Sequence, residues 1–276
     1  MVRKAFTLIE MVVALGILAV ILSFAGVIFR VSVNSQQMAM ANAEIMQKLR
    51  IITEQLDADF KSGAFRYFQY PYRYDGYLYA NTEKSSAGGV VTAVNSDGFA
   101  FFASGDFQST GQYGGKTIAG NVACIFYGQP DPNSYSRPPQ PHEKLLLRRQ
   151  TILAFNSPAS GSDPRGEYFS RSPQEWLANP PFVGDRDWVR RPVVAPSNVS
   201  ANLHMYVAQG VDNFTIHYLD AGTQLQTGAI PWVRRIDESF RSSINPRALK
   251  FTFTLYDSKG IIKKGRPFTH IVVWDD

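Results

Sequence analysis

Few residues in this 276-residue chain have the type and spacing to do chemistry. Residues 110–117 read Thr-Gly-Gln-Tyr-Gly-Gly-Lys-Thr, one position away from the phosphate-binding pattern G-x-x-x-x-G-K-[ST]. That loop needs glycine where Thr110 stands. It also needs a helix after the lysine, whose first amides hold phosphate. Ile118-Ala-Gly120 leads instead into a strand-like run, so a glycine-rich hairpin is expected. His142, His204, His217 and His270 have neither H-x-x-x-H nor H-E-x-x-H spacing, and are expected as surface or satisfied strand residues rather than metal ligands. The lone cysteine, Cys124, rules out an intramolecular disulfide. It alternates with Val122 and Phe126, the pattern of a buried, inert thiol. No Gly-x-Ser-x-Gly elbow occurs, and Asp131, Asp163, Asp185 and Asp187 lack the spacing of a calcium loop. Three arginine pairs, 148–149, 190–191 and 234–235, would grip a nucleic-acid backbone only if they met on one face; solvated strand edges are expected. The net charge of +5 is small and scattered, which argues against a nucleic-acid partner. No catalytic, cofactor-binding or metal site is assigned.

One carboxylate is out of place. Met11 to Phe29 carries no charge, and as a helix it reaches about 28 Å, close to the thickness of a bilayer's hydrocarbon core. Arg3 and Lys4 precede it and Arg30 follows, which slightly favours a cytoplasmic N-terminus. No second run of this length follows, so at most one span is expected. A secretory signal peptide is one reading, with Ser23-Phe24-Ala25 as a cleavage site; a plain signal anchor is another. Neither gains from Glu10, which costs about 2–3 kcal/mol if carried into lipid.

Residues 5–10, Ala-Phe-Thr-Leu-Ile-Glu, follow the short leader Met1-Val-Arg-Lys. This arrangement resembles the processing signal of type IV pilins and type II secretion pseudopilins. The resemblance implies that a prepilin peptidase cuts between Ala5 and Phe6 and methylates the new Phe6 amine, leaving 1–5 as leader. Glu10 then occupies the position of the family's glutamate, five residues into the mature chain. The family usually has glycine where this chain has Ala5. In a stack of helices the Glu10 carboxylate would pair with the Phe6 amine of a neighbour, offsetting two charges that are each costly in lipid and setting the axial register.

The elements that must position this segment come next. No proline occurs before Pro71, and beyond Arg30 apolar residues recur at Met38, Ile45, Leu49, Ile52, Leu56 and Phe60, one face of a helix. The spacing predicts one helix over 6–61, its first half facing lipid or filament and its second half packed on a sheet. Glu54, Asp57 and Asp59 are expected on its solvated face.

From residue 62 the pattern is β-rich. Strands are predicted at 90–94, 98–103, 122–127, 144–153, 203–208, 213–219, 247–256 and 269–274, with Leu249, Phe251, Phe253 and Leu255 facing one side. Asp257-Ser-Lys-Gly260 reads as a hairpin turn. The fold class expected is α+β, a long N-terminal helix packed on antiparallel sheets, as in pilins. Most of the sixteen prolines fall between Pro130 and Pro196, so 128–200 reads as an insertion of loops, with 129–142 and 156–166 exposed and Trp176, Phe182 and Trp188 packed locally. Val122-Ala-Cys-Ile-Phe-Tyr127 and Val211-Asp-Asn-Phe-Thr-Ile-His-Tyr-Leu-Asp220, then Trp232 and Ile244 through Asp257, are similar to strands of J-type minor pseudopilins and W-type minor pilins. This resemblance implies a minor subunit near the tip of a type II secretion pseudopilus. Such a subunit sits in the bacterial inner membrane with its bulk in the periplasm, partners other pilin or pseudopilin subunits, touches secreted cargo and needs no cofactor. A minor type IV pilin in adhesion, priming or DNA uptake is the alternative. From another class, so is an anchored periplasmic enzyme or binding module.

Overall fold

The computed structural model describes residues 7–61, 77–79, 82–87, 90–130, 139–154, 167–170, 203–220, 232 and 246–273. A 54-residue helix, α1 (Leu8–Lys61), comes first. It starts two residues later than the predicted 6, because Thr7 caps it. The strands follow: β1 (Tyr77–Tyr79), β2 (Thr82–Ala87), β3 (Val90–Asn95), β4 (Gly98–Tyr113), β5 (Lys116–Gly128), β6 (Leu145–Ala154), β7 (Tyr168–Ser170), β8 (Tyr206–Gln209), β9 (Val211–Asp220), β10 (Pro246–Leu255) and β11 (Arg266–Val273). The fold is α+β, one long apolar helix with antiparallel sheets.

The larger sheet runs β1-β4-β5-β6-β7, and β8 shares the outer edge of β6 with β7. A second sheet runs β11-β10-β9, and β2 pairs β3. Among the described strands only β6–β7 is parallel, over three residues. Two strands are far longer than predicted: β4 reaches Tyr113 and β5 starts at Lys116, joined by a hairpin at Gly114–Gly115. Both glycines have positive φ, 60° and 77°, as the tight turn between twisted strands requires. Irregular register within the hairpin bends it and explains why alternation fades there. Residues 203–205 form a 3-10 turn rather than the start of a strand.

One core joins the helix to both sheets. Ile45, Ile52, Leu56 and Phe60 of α1 lie in one cluster with Phe99, Phe101, Ile125 and Tyr127 of the larger sheet and Phe214, Ile216, Leu249 and Phe251 of the smaller. Phe60 stacks on Phe101 with ring centroids 4.4 Å apart. The predicted alternation in β10 is observed: Leu249, Phe251, Phe253 and Leu255 are buried, while Lys250, Thr252 and Thr254 are half-exposed. Two buried polar side chains tie the sheets together. Asp97 accepts from the Ile216 amide at 2.8 Å, and the Gln129 amide donates to the Val211 carbonyl at 2.8 Å. Gln129 is thus buried, against the expected exposure of 129–142.

The strand predicted at 144–153 is β6, but the reading of 128–200 as loops outside the core needs correction where it is described. β6 pairs three strands and buries Leu146, Leu147, Ile152 and Leu153, so this interval supplies core. Residues 156–166, Trp176, Phe182 and Trp188 lie outside the described residues.

The expected solvation of the helix acids also needs correction. Glu54 is exposed and pairs with Arg50 at 2.7 Å. Asp59 is buried instead. Its two oxygens take Nε and Nη2 of Arg148 at 2.6 and 2.7 Å, and the Tyr127 hydroxyl donates to it as well. Burial, and then the Asp59 charge, push the Tyr127 phenol well up. Asp57 holds Nε2 of His270 at 2.9 Å, which ties β11 to the helix. These acids look solvated on a helical wheel because their partners stand on strands far along the chain.

Candidate functional site

The arrangement with no structural explanation inside the chain is the first part of α1. From Leu8 to Val31, sixteen large apolar side chains are all at least half exposed. They surround the helix on every side, so no stripe could be turned to a core. Burying such a side chain is worth about 1.5–3 kcal/mol. Sixteen of them in water would outweigh the ~5–15 kcal/mol that stabilises a whole domain. Lipid or other helices must cover this segment.

Its polar groups are already suited to that. Ser23, the one polar side chain of Met11–Phe29, donates to the Ala19 carbonyl at 2.9 Å, so it carries no orphan donor into an apolar medium. Gly16, Ala19, Ser23 and Gly26 recur at spacings of three and four along one face. A Cβ built on either glycine meets nothing within 4 Å, so another backbone has room to approach closely.

At the N-terminal end, Thr7 and Glu10 close a capping box. The Thr7 amide and hydroxyl donate to Glu10 Oε2 at 2.9 and 2.8 Å, and the Glu10 amide points at Thr7 Oγ1 at 3.4 Å. Thr7 does not stand out by charge or hydropathy, although the Thr-x-x-Glu spacing is the signal for this cap. The cap also corrects the reading that an anchor gains nothing from Glu10, because it gives the glutamate an intrachain task at the helix start. Only Oε2 is used; Oε1 accepts no hydrogen bond among the described residues. Ala5 and Phe6 lie outside the described residues.

The other candidates resolve into structure. The near-match to a phosphate loop is the β4–β5 hairpin, and Lys116 opens β5 rather than a helix. Cys124 is buried, and burial pushes its thiol up to about 12. His270 is held by Asp57, and His204 Nε2 lies 3.5 Å from Glu167. Glu167 is itself saturated by the Gly111 amide, the Tyr113 hydroxyl at 2.9 Å and the Thr110 hydroxyl. Arg148 and Arg149 are half-buried rather than fully solvated: the first is bound by Asp59, and the second lies 5.7 Å over the Phe126 ring. As neighbours in a strand they point to opposite faces, so they cannot form one basic stripe. The pairs 190–191 and 234–235 lie outside the described residues, as do Asp131, Asp163, Asp185 and Asp187. Among the described residues no group of three His, Cys, Asp or Glu could hold a metal.

Residues 1–26 match the prokaryotic N-terminal methylation motif. The match covers the leader, Glu10 and most of the apolar run, and it supports a pilin-like protein anchored by its N-terminal helix. No curated protein and no solved structure matches the chain.

Proposed function

We propose that this chain is a minor pseudopilin, a structural subunit of a type II secretion pseudopilus placed near its tip and acting in protein secretion. Prepilin peptidase cuts between Ala5 and Phe6 and methylates the Phe6 amine. The helix waits in the inner membrane with the globular domain in the periplasm. The subunit then leaves the membrane for the filament as neighbouring helices replace lipid around residues 11–29. No reaction is catalysed; the work is done by helix packing, and the β-rich domain offers surface to other subunits and to cargo.

One observation carries this reading. The exposed, all-round apolar segment begins with a glutamate that uses one carboxylate oxygen for its own cap, while the other accepts nothing among the described residues. An amine on Phe6 of a neighbouring subunit is the cation that would complete the pair, and both groups lie within residues 1–26, which match the methylation motif. A domain drawing on more than two hundred residues is bulky for a repeating subunit, which favours a minor position. Secretion is preferred to DNA uptake because Arg148 and Arg149 face apart.

Glu10→Gln separates assembly from plain anchoring. Glutamine keeps the capping box and removes only the charge. The variant should insert and fold as the parent does, yet fall out of purified filaments at least tenfold in quantitative immunoblots. Unchanged incorporation would contradict the charge-pairing role.

A further inference from the structure

The end of the globular domain that looks toward the membrane is basic. Phe251 packs on Phe60 with centroids 5.7 Å apart, whereas the Tyr256 carbonyl accepts from Lys48 Nζ at 2.9 Å and the Ser258 amide donates to Glu44 at 2.9 Å. Chain order 251 to 258 therefore runs from position 60 back to position 44 of the helix, toward the apolar segment. The loop that follows, 257–265, carries Lys259, Lys263 and Lys264, with Arg266 at its end. All four are exposed, and none has an ion-pair partner among the described residues.

The acids nearby are committed elsewhere. Glu44 is held by Lys48 at 2.7 Å and by Ser258, and Asp212 by Lys144. Glu143 accepts from the Gln140 amide at 2.8 Å. Asp257 is buried under the amides of Ile261 and Ile262, at 2.9 and 2.8 Å. This last pair of bonds also fixes the loop, and Ile262 packs against the core. The four cations thus stand on a structured support, with no carboxylate free to neutralise them among the described residues.

The geometry brings them within reach of headgroups. Fifteen helical residues from Phe29 to Glu44 rise about 22 Å, of which the headgroup layer takes about 6 Å. With the usual tilt of about 20° taken toward the loop, a loop about 10 Å off the helix axis drops a further ~3 Å. The gap is then near 12 Å, and an extended lysine or arginine covers about half of it. The remainder is shorter than the Debye length of about 8 Å at physiological salt.

We propose that Lys259, Lys263, Lys264 and Arg266 form a docking surface for the anionic lipid headgroups of the membrane that α1 crosses, and that they steady the unassembled subunit against it. This rests on residues 11–29 spanning that membrane.

The test uses the full chain in nanodiscs of phosphatidylglycerol or of phosphatidylcholine, with lysine acetylation rates read by peptide mass spectrometry. In phosphatidylglycerol at low salt, Lys259, Lys263 and Lys264 should react about fivefold more slowly than in phosphatidylcholine. Half-molar salt should remove the difference, and Lys116 at the exposed hairpin should be unaffected. In K259Q/K263Q, Lys264 should return toward its phosphatidylcholine rate. Equal rates in the two lipids would overturn the proposal, as would slowing seen only when other filament subunits are added, which would mark a protein partner. Protease is applied in parallel. If it cleaves within 11–29 in both discs, the spanning reading itself fails and the docking surface fails with it.

Discussion

Residues 8–40 and 41–60 belong to one uninterrupted helix, yet they are built for opposite surroundings. The first stretch is apolar on all sides from Leu8 to Phe29, turns polar at Asn34-Ser-Gln-Gln37, and stays exposed; among its described residues only Val33 is even half-covered. The second is apolar on one side, where Ala41, Ile45, Ile52, Leu56 and Phe60 are buried, and its flanks carry Glu44, Lys48, Asp57 and Asp59, each bonded to the β-rich domain. The difference teaches how one element serves two solvents. A stripe suffices where a single sheet-lined core is offered, but all-round hydrophobicity is needed where lipid or helices surround the segment. Backbone hydrogen bonding carries the helix across the change without a break.

The largest loss is expected at Asp59. Asp59→Ala leaves the Arg148 guanidinium without its carboxylate in a half-buried place, and should cost about 3 kcal/mol in denaturant unfolding of the full chain in micelles. Ile52→Ala, at a site with no exposure, should cost about 2–4 kcal/mol. Val20→Ala in the first stretch should stay within about 0.5 kcal/mol by the same assay, since no core surrounds it. Equal losses at positions 20 and 52 would erase the contrast.

A smaller effect sharpens the point where the second stretch is anchored. Gly210 has φ +79°, and a Cβ there would lie 2.5 Å from the Tyr256 carbonyl that Lys48 also binds. Gly210→Ala should destabilise the domain by about 1–3 kcal/mol, with faster amide exchange at Tyr256 and Ser258 and no change at Val12–Phe24.

Acid should act on the same side of the divide, and more weakly. Burial pushes the Asp257 carboxyl up, but the Ile262 and Ile261 amides together outweigh it and hold it below the usual range. Burial likewise raises Glu167, and its bonds to Thr110, Gly111 and Tyr113 outweigh that and lower it. Groups depressed on folding stabilise the fold above their unfolded pKa, and that contribution is lost as pH falls through the folded value. Thermal stability of the domain should therefore hold from pH 7 to about 5 and fall below about 4, while helicity of the lipid-covered stretch persists.

The sequence made the apolar half legible because an uncharged nineteen-residue run has few structural meanings. It made most of the buried face legible through the spacing of Ile45, Ile52, Leu56 and Phe60. Met38 broke that pattern: it is 49% exposed, and Ala41 takes the first core contact. The Asp59–Arg148–Tyr127 cluster was not legible, because its members are up to 89 positions apart and each looks solvated in its local window. β6 was legible as a strand, predicted at 144–153, but its place in the core was masked by the proline-rich interval around it. At the candidate site, Glu10 stood out by charge alone. Thr7 did not, since a threonine before an apolar run is ordinary until its spacing to Glu10 is read as a cap.

The most direct test of the central claim is the N-terminus of the chain extracted from membranes of cells that contain a prepilin peptidase. The account predicts a chain that begins at N-methylated Phe6. An intact Met1, or a chain starting at Gly26, would contradict it.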